Sequence, residues 1–419
     1  MRKGLIGIFL TFFIGSLMFP GVCISEEMSN HELMQELKVL KEQIRILEEK
    51  LENRVKMSAQ EISKETPAGL EGQGLPERVR RIEEKMEQKQ EGVLAKWADK
   101  ITLSGVIEAE AGYEDYDYDN PGPGEEDYDS SDISLATVEL GVDVDIIKHV
   151  KGHVLFLWEE EDTGDESVGV DEGFITLDGE DEVPLYLNVG KLYVPFGNFE
   201  SHFISDPLTL ELGETRESAL TVGCVNEWMD FSVSAFNGDI DETGEDNHIE
   251  SYVASASFSV PEELISNFGI AGGVSYISNI GDSDSLQDEI DSEAGIRDYV
   301  NGFNVFLSVS YMDKLFLECE YLGALDEFEA GELSFDGGNK FQPKTWNFEL
   351  AYAATDRLEV VVKYEGGDDL GDFLPEDQYG AVVTYGLFEN TSLALEYLHG
   401  EFENDDERDL VTTQLAVEF

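Results

Sequence analysis

The stretch Trp346-Asn347-Phe348-Glu349-Leu350-Ala351-Tyr352 places an apolar side chain at every second position. The residues between them are polar or small, so the period is two and the pattern is that of a β-strand with one wet and one dry face. The same alternation recurs at 303–311 and at 358–364. The chain is therefore expected to build a sheet whose two faces meet different surroundings.

Working outward from this stretch, the period of two extends from Ile101 to Phe419 and predicts sixteen strands. The alternation is blurred in the fourth to sixth of them. The predicted strands are 101–113, 132–147, 150–160, 170–178, 184–193, 218–225, 228–236, 249–260, 267–278, 300–311, 315–323, 344–353, 357–365, 377–385, 391–399 and 409–419.

The links between these strands differ systematically in length. After even-numbered strands they are short, as at 148–149 or 312–314, whereas after odd-numbered strands they are usually long and acidic, as at 114–131, 194–217 and 279–299. Short turns at one end, long loops at the other and an even strand count are typical of outer-membrane barrels. The sequence thus predicts an all-β fold, a 16-stranded antiparallel transmembrane β-barrel. Its final strand ends on the aromatic Phe419, a weak sign in the same direction.

Composition excludes some functions. A formal net charge of −64 argues against nucleic-acid binding, because phosphates would be repelled. Aromatic residues make up 11% of the chain, which is unlike acid-rich disordered proteins. No phosphate-binding loop, haem motif or nucleophile motif is recognisable, so neither an enzyme nor a cofactor is expected.

The first hundred residues follow another pattern. Residues 1–25 read as a signal peptide, with Arg2 and Lys3 before an apolar run. Residues 26–65 carry a heptad seam that predicts an α-helical coiled coil in the periplasm; residues 66–100 predict a linker and a short helix, and the barrel occupies 101–419. An unpartnered seam favours a homotrimer, and a helix resting on its own barrel or on envelope material is the alternative.

The polar phase of the strands is expected to face a lumen rich in carboxylates. Acids in a water-filled pore favour cations and reject anions. The alternative is that these acids are simply hydrated, with modest effect at physiological salt. The predicted lining residues are Glu108, Glu110, Glu139, Asp143, Glu318, Glu320, Glu349, Glu359 and the base Lys363.

The link 194–217 is unusually apolar for a surface loop. We expect it to fold into the barrel and narrow the channel; a lid over the rim or an interface with a neighbouring subunit is the alternative. The predicted constriction residues are Phe196, Glu200, His202, Asp206, Glu211, Glu214 and Arg216.

The link 114–131 holds eight acids and no base. Asp115, Asp117, Asp119 and Glu126 match positions 1, 3, 5 and 12 of a calcium-binding loop. Asn120 replaces the glycine of that template and no helices flank it, so loosely bound Ca²⁺ is favoured over a dedicated metal site.

The stretch 190–217, GKLYVPFGNFESHFISDPLTLELGETRE, resembles the LbtU-type siderophore porins. The order of parts is also similar: signal peptide, coiled segment, then a barrel opening with Thr102-Leu103-Ser104-Gly105. The resemblance implies an outer-membrane pore linked to the uptake of iron chelates. Because many ferric chelates are anionic, an acidic lumen disagrees with that cargo unless the chelate is neutral or cationic, or Lys191, Arg216 and Lys363 form a basic track.

These observations together predict a passive outer-membrane porin for small hydrophilic solutes, with ferric siderophores as the cargo that the resemblance implies. A general cation-preferring porin and a structural barrel that tethers the envelope are the alternatives. The expected surroundings are the lipid bilayer and lipopolysaccharide.

Overall fold

The computed structural model describes residues 100–419 except 123–125, 161–166, 180–181, 245–247, 261–264, 266 and 291–294. The predicted signal peptide and coiled coil, and all but the last residue of the predicted linker segment, lie outside the described residues. No described helix is long and apolar enough to cross a membrane.

The described chain forms one closed barrel of sixteen antiparallel strands, in which each strand pairs with its sequence neighbours and β1 pairs with β16. The prediction of a 16-stranded antiparallel barrel is confirmed. The strands are β1 Ile101–Asp117, β2 Tyr128–Ile147, β3 Val150–Glu159, β4 Gly169–Asp178, β5 Leu185–Tyr193, β6 Arg216–Val225, β7 Met229–Phe236, β8 Ser251–Val260, β9 Phe268–Ile277, β10 Gly302–Tyr311, β11 Leu315–Ala324, β12 Lys344–Thr355, β13 Leu358–Asp368, β14 Asp377–Phe388, β15 Thr391–Glu401 and β16 Glu407–Glu418.

Short helices occur only in the loops of the described chain. They are α1 (Leu208–Gly213), a 3₁₀ turn at Ile280–Asp282 and α2 (Asp284–Asp288). We call the end of the barrel that carries these loops the long-loop end, and the opposite end, where β1 begins and β16 ends, the short-turn end.

The alternation seen in the sequence separates the two faces of the barrel wall. In β12, Phe348 is 48% exposed on the outer face, whereas its neighbour Glu349 is 1% exposed on the inner face. An apolar outer face and a polar inner face are what a barrel in lipid requires, because the backbone bonds are satisfied between strands and only the outer side chains meet hydrocarbon.

An aromatic girdle marks the outer face near the long-loop end. Eight consecutive strands, β8 to β15, each contribute one ring there. Rings with a polar tip favour the boundary between lipid and water. The girdle residues are Tyr252, Tyr276, Phe303, Tyr321, Trp346, Tyr364, Tyr379 and Tyr397.

The first long link is shorter than predicted. Strand β1 continues to Asp117 and β2 begins at Tyr128, so the two ends of the predicted link, residues 114–117 and 128–131, belong to a β-ladder with Asp115 opposite Asp129. The acids at these positions gave no strand signal, because above the membrane both faces of a strand can be hydrated.

Candidate functional site

The link between β5 and β6, residues 194–215, turns into the barrel; we call it loop 3. The turn begins where Val194 and Phe196 enter an apolar cluster, and Gly197 adopts a φ of +89°, a conformation that glycine allows without strain. Leu208 and Leu212 of α1 join the same cluster with apolar residues of the other long loops. Burial of these side chains stabilises the inward position of loop 3.

Buried carboxylates of the barrel wall hold the backbone of loop 3. Glu320 of β11 accepts hydrogen bonds from the backbone N–H of Asn198 at 2.7 Å and of Phe199 at 2.9 Å. Glu349 of β12 accepts one from the N–H of His202 at 2.8 Å. Hydrogen bonds to an ionised acceptor are the stronger kind, so these acids serve as anchors for the loop.

Two further carboxylates continue this series of anchors. Glu396 of β15 accepts from the N–H of Ile204 at 2.6 Å and from that of Ser205 at 3.2 Å. Glu365 of β13 accepts from the N–H of Leu208 at 3.0 Å. Loop 3 therefore crosses the interior from β5 to β15.

Lys363 lies beneath loop 3. Its side chain is fully buried, with Nζ 3.5 Å from Glu349 and 3.3 Å from Glu365. The ammonium also stands 4.4 Å from the centroid of the Phe203 ring, a cation–π contact. This base faces the interior as the alternation predicts, but its charge balances the anchoring acids rather than meeting the open lumen.

The other predicted residues near loop 3 differ in burial and in their partners. Glu318 is buried on the inner face of β11 and bonds Ser308. His202 contacts Glu359 of β13, with Nδ1 3.1 Å from the carboxylate. Burial opposes the charged imidazole, but this hydrogen bond and the surrounding acids raise the pKa of His202 above its usual value. Glu200 is exposed on the loop.

The opposite wall is left uncovered. The inner faces keep partial exposure at Glu108 and Glu110 of β1, at Glu139 and Asp143 of β2 and at His153 of β3, whereas most inner residues of β11 to β13 are almost completely buried. The open part of the lumen therefore runs along the wall formed by β16 and β1–β3, which we call the open wall.

The face of loop 3 toward the open wall is also acidic. Burial raises the pKa of Asp206, and Glu396 and Glu110 raise it further against the effect of Lys363. Burial, Asp284 and Asp206 together raise the pKa of Glu214 to about 8. Carboxylates thus border the gap on both sides.

Arg216 was predicted to belong to the constriction loop. In the structure it is instead the first residue of β6. Its guanidinium bonds the carboxylate of Asp171, which is 3% exposed, and its Nε lies 3.9 Å from Asp284. Lys191 faces outward on β5 and bonds the carbonyl of Val170. The prediction of a basic track is therefore wrong. Its three members, Lys191, Arg216 and Lys363, lie in separate places, and the last two are paired with carboxylates.

The acids proposed for calcium are spread out. Asp115 and Asp117 lie in β1, while Asp119 follows that strand and donates its N–H to Asp406 at 2.9 Å. Within the described ranges, no group of three or more His, Cys, Asp or Glu residues could hold a metal ion. Loosely bound Ca²⁺ at the acidic loops, including Glu126, stays a prediction.

Sequence reasoning missed several residues of this site. Glu365 shares its face with Lys363, two positions away, so the period of two could have found it. Asp171 could not be found in this way, since it is the extra residue of a β-bulge between β3 and β4.

Comparisons with known proteins find relatives of low sequence identity. No protein-family model matches the chain. A UPF0422 protein of Coxiella burnetii is 24% identical over 312 residues, which cover 72% of this chain and 64% of that protein. The UPF0422 protein lpp3030 of Legionella pneumophila is 24% identical over 291 residues, 64% of this chain and 54% of that protein. The chain thus spans less than two thirds of the length of these curated relatives.

Among solved structures, OmpF of Salmonella typhi in complex with daunomycin superposes with a TM-score of 0.51 at 11% identity, over 76% of this chain and 97% of that one. An anion-selective porin of Comamonas acidovorans superposes with a TM-score of 0.49 at 10% identity, over 76% and 99%. At such low identities the likeness concerns the fold, which is that of the porin barrels. The siderophore resemblance stays a prediction.

Proposed function

We propose that this protein is a passive diffusion channel for small hydrophilic solutes in the outer membrane, and that solutes pass between loop 3 and the open wall. The observation that carries the proposal is the unequal covering of the interior. Loop 3 buries Glu320, Glu349, Glu365 and Glu396 and is fixed to them, whereas the inner residues of the open wall remain accessible.

The charge around this gap favours cations. Asp206 on loop 3 lies within electrostatic range of Glu108 and Glu110 on β1. The neighbouring base His153 pairs with Asp143 at 2.7 Å and so offers little free positive charge. Like charges repel most strongly where water is confined, so anions should enter less readily than cations.

The cargo follows from the same charge balance. A ferric chelate with a net negative charge would meet carboxylates on both sides of the gap. A siderophore role is therefore proposed only for neutral or cationic chelates, and growth on such a chelate with and without the gene would test it.

Conductance in a planar bilayer tests the channel itself. The purified full-length protein should give discrete single-channel steps, and deletion of residues 198–214 should increase them, because the obstruction is removed. An unchanged step size would contradict the constriction. A protein that inserts without any conductance would favour the structural tether.

Ion selectivity tests the charge argument separately. In a KCl gradient the zero-current potential should indicate cation preference, and the double variant Glu108→Gln/Glu110→Gln should reduce it. The matched control is Glu401→Gln/Glu407→Gln, which removes two exposed acids at the rim. Equal selectivity in wild type and lumen variant would refute the role of these acids.

We also propose that the barrel associates with copies of itself, as a homotrimer. Strands β4 to β6 expose apolar side chains such as Ile175, Leu177 and Leu220 on the outer face, and only Tyr193 among their outward residues is aromatic. The aromatic girdle of β8–β15 thus does not extend across β4–β6, as expected where protein covers the wall instead of lipid headgroups. Chemical cross-linking of the native protein would reveal the number of copies.

A further inference from the structure

Four aromatic rings gather at the long-loop end of the open wall. The rings of Tyr116 and Tyr128 are stacked, with centroids 5.5 Å apart and planes 6° apart. Tyr118 lies 4.7 Å and Phe402 5.8 Å from the Tyr116 ring. We call these four residues the mouth cluster. Tyr128 is 42% exposed, so one ring remains available to a solute that enters the lumen.

Arg408 stands beside this cluster. It pairs with Tyr116 in the register of β1 and β16, and its guanidinium lies 5.6 Å from the centroid of the Phe402 ring. Its only hydrogen bond in the described structure runs from Nη2 to Gln378 at 3.4 Å, while the buried Nε has no partner.

This arginine differs from the other bases on the inner face of the described strands. Each of the others has a carboxylate within 4 Å, whereas Arg408 has none among the described residues. The paired bases are Lys151 with Asp178, His153 with Asp143, and Lys363 with Glu349 and Glu365.

Carboxylates are nevertheless close to the cluster. Glu114 precedes Tyr116 by two residues on the same face, and Asp406 accepts from the Tyr116 hydroxyl at 3.3 Å. Across the gap, burial raises the pKa of the loop 3 acid Glu211 and Arg408 opposes that rise, so the two groups are close enough to interact electrostatically. A cation without a carboxylate partner, several acids and an exposed ring thus occur together.

We propose that the mouth cluster with Arg408 binds zwitterionic aromatic solutes, of which an aromatic α-amino acid is the smallest. The solute ring stacks on Tyr128, its carboxylate bonds the guanidinium of Arg408, and its ammonium faces Glu114 and the acids of loop 3. This inference names a solute class for the proposed channel, but binding at the mouth does not require that the channel conduct.

Charge explains why a zwitterion fits better than a simple ion. An anion would be attracted to the guanidinium of Arg408, but it would enter a lumen whose other unpaired charges are negative. A cation would be attracted to the acids and leave Arg408 unused, although planar guanidinium groups bind carboxylates through two parallel hydrogen bonds. An aliphatic amino acid would lack the stacking with Tyr128.

Binding is measured by NMR titration of the detergent-purified full chain with four probes. L-phenylalanine carries all three groups, phenethylamine lacks the carboxylate, 3-phenylpropionate lacks the ammonium, and L-alanine lacks the ring. L-phenylalanine should bind at least about tenfold more tightly than each of the others, since a hydrogen bond to a charged group, or the burial and stacking of a ring, is worth that much. Binding of any of the other three probes as tight as that of L-phenylalanine, or no saturable binding, would overturn the proposal.

Variants locate the site. Arg408→Gln should weaken the binding of L-phenylalanine about tenfold and leave the binding of phenethylamine unchanged. Arg357→Gln, in the turn at the short-turn end, is the matched control. Tyr128→Leu should weaken the binding of L-phenylalanine and of phenethylamine, with Tyr385→Leu on the outer face as control. Equal effects of a variant and its control would refute this location. Binding without conductance would overturn the channel alone, and conductance without binding would overturn this inference alone.

Discussion

Replacing Glu320 by glutamine should loosen loop 3. One oxygen of Glu320 accepts from Asn198 N–H at 2.7 Å and from the Asn304 amide at 2.6 Å, and the other accepts from Phe199 N–H at 2.9 Å. Glutamine keeps one oxygen and places an NH₂ group at the other, so a backbone N–H, that of Phe199 or that of Asn198, faces a donor. A buried donor left unpaired costs about 1–3 kcal/mol, and loss of the charge weakens the remaining bonds. The expected loss of loop docking is about 2–4 kcal/mol.

Hydrogen exchange measures this loss directly. A loss of about 2–4 kcal/mol corresponds to exchange that is roughly 30- to 1,000-fold faster in a peptide covering residues 197–206, while peptides from β12 and β13 keep their protection.

The matched control is Glu318→Gln. It changes a buried acid on the same face of β11 whose hydrogen bond goes to Ser308 and not to the loop backbone. Unchanged exchange in the Glu320 variant, or equal acceleration in both variants, would refute the anchoring role of Glu320.

Because Glu359 raises the pKa of His202, their ion pair stabilises loop docking fully below about pH 6.5 and less as the pH rises through the higher pKa of the folded state. Hydrogen exchange of loop 3 at pH 6 and pH 8, in wild type and in His202→Asn, measures this pH dependence. Since the pKa of Glu214 is raised from 4.5 to about 8, the folded state favours the neutral acid, and docking should weaken as the pH rises between these values. Glu214→Gln, which mimics the neutral acid, should remove that part of the pH dependence, and an unchanged profile would contradict the assignment. Arg216→Ala leaves a buried carboxylate unpaired and should destabilise by about 3–5 kcal/mol, measured by the urea midpoint. Arg297→Ala removes a pair in which the arginine is 65% exposed and should cost about 0–1 kcal/mol; equal losses would refute the difference in burial.

The strands were predictable because their signal is local. In β12 the side chains of Trp346, Phe348 and Leu350 must meet lipid and those between them must not, so membrane and lumen impose a period of two on the sequence itself. Where the wall leaves the membrane this requirement ends, and for that reason the extension of β1 to Asp117 was missed.

The anchors of loop 3 were not predictable as anchors. Glu320 and Glu349 were expected on the inner face, and they lie there, but the sequence describes them as lining acids. Their partners are backbone N–H groups more than 100 positions away, and backbone groups leave no mark on side-chain composition.

The sequence by itself therefore determined the sixteen strands, their inner and outer faces, the excess of acid and the unusual apolar character of residues 194–217. Only the tertiary structure decided which acids hold loop 3 through hydrogen bonds and which stay accessible along the open wall. The physical reason is that alternation is a property of neighbours in the chain. The state of a carboxylate, hydrated or bonded, instead depends on what the closed barrel brings within about 3 Å of it.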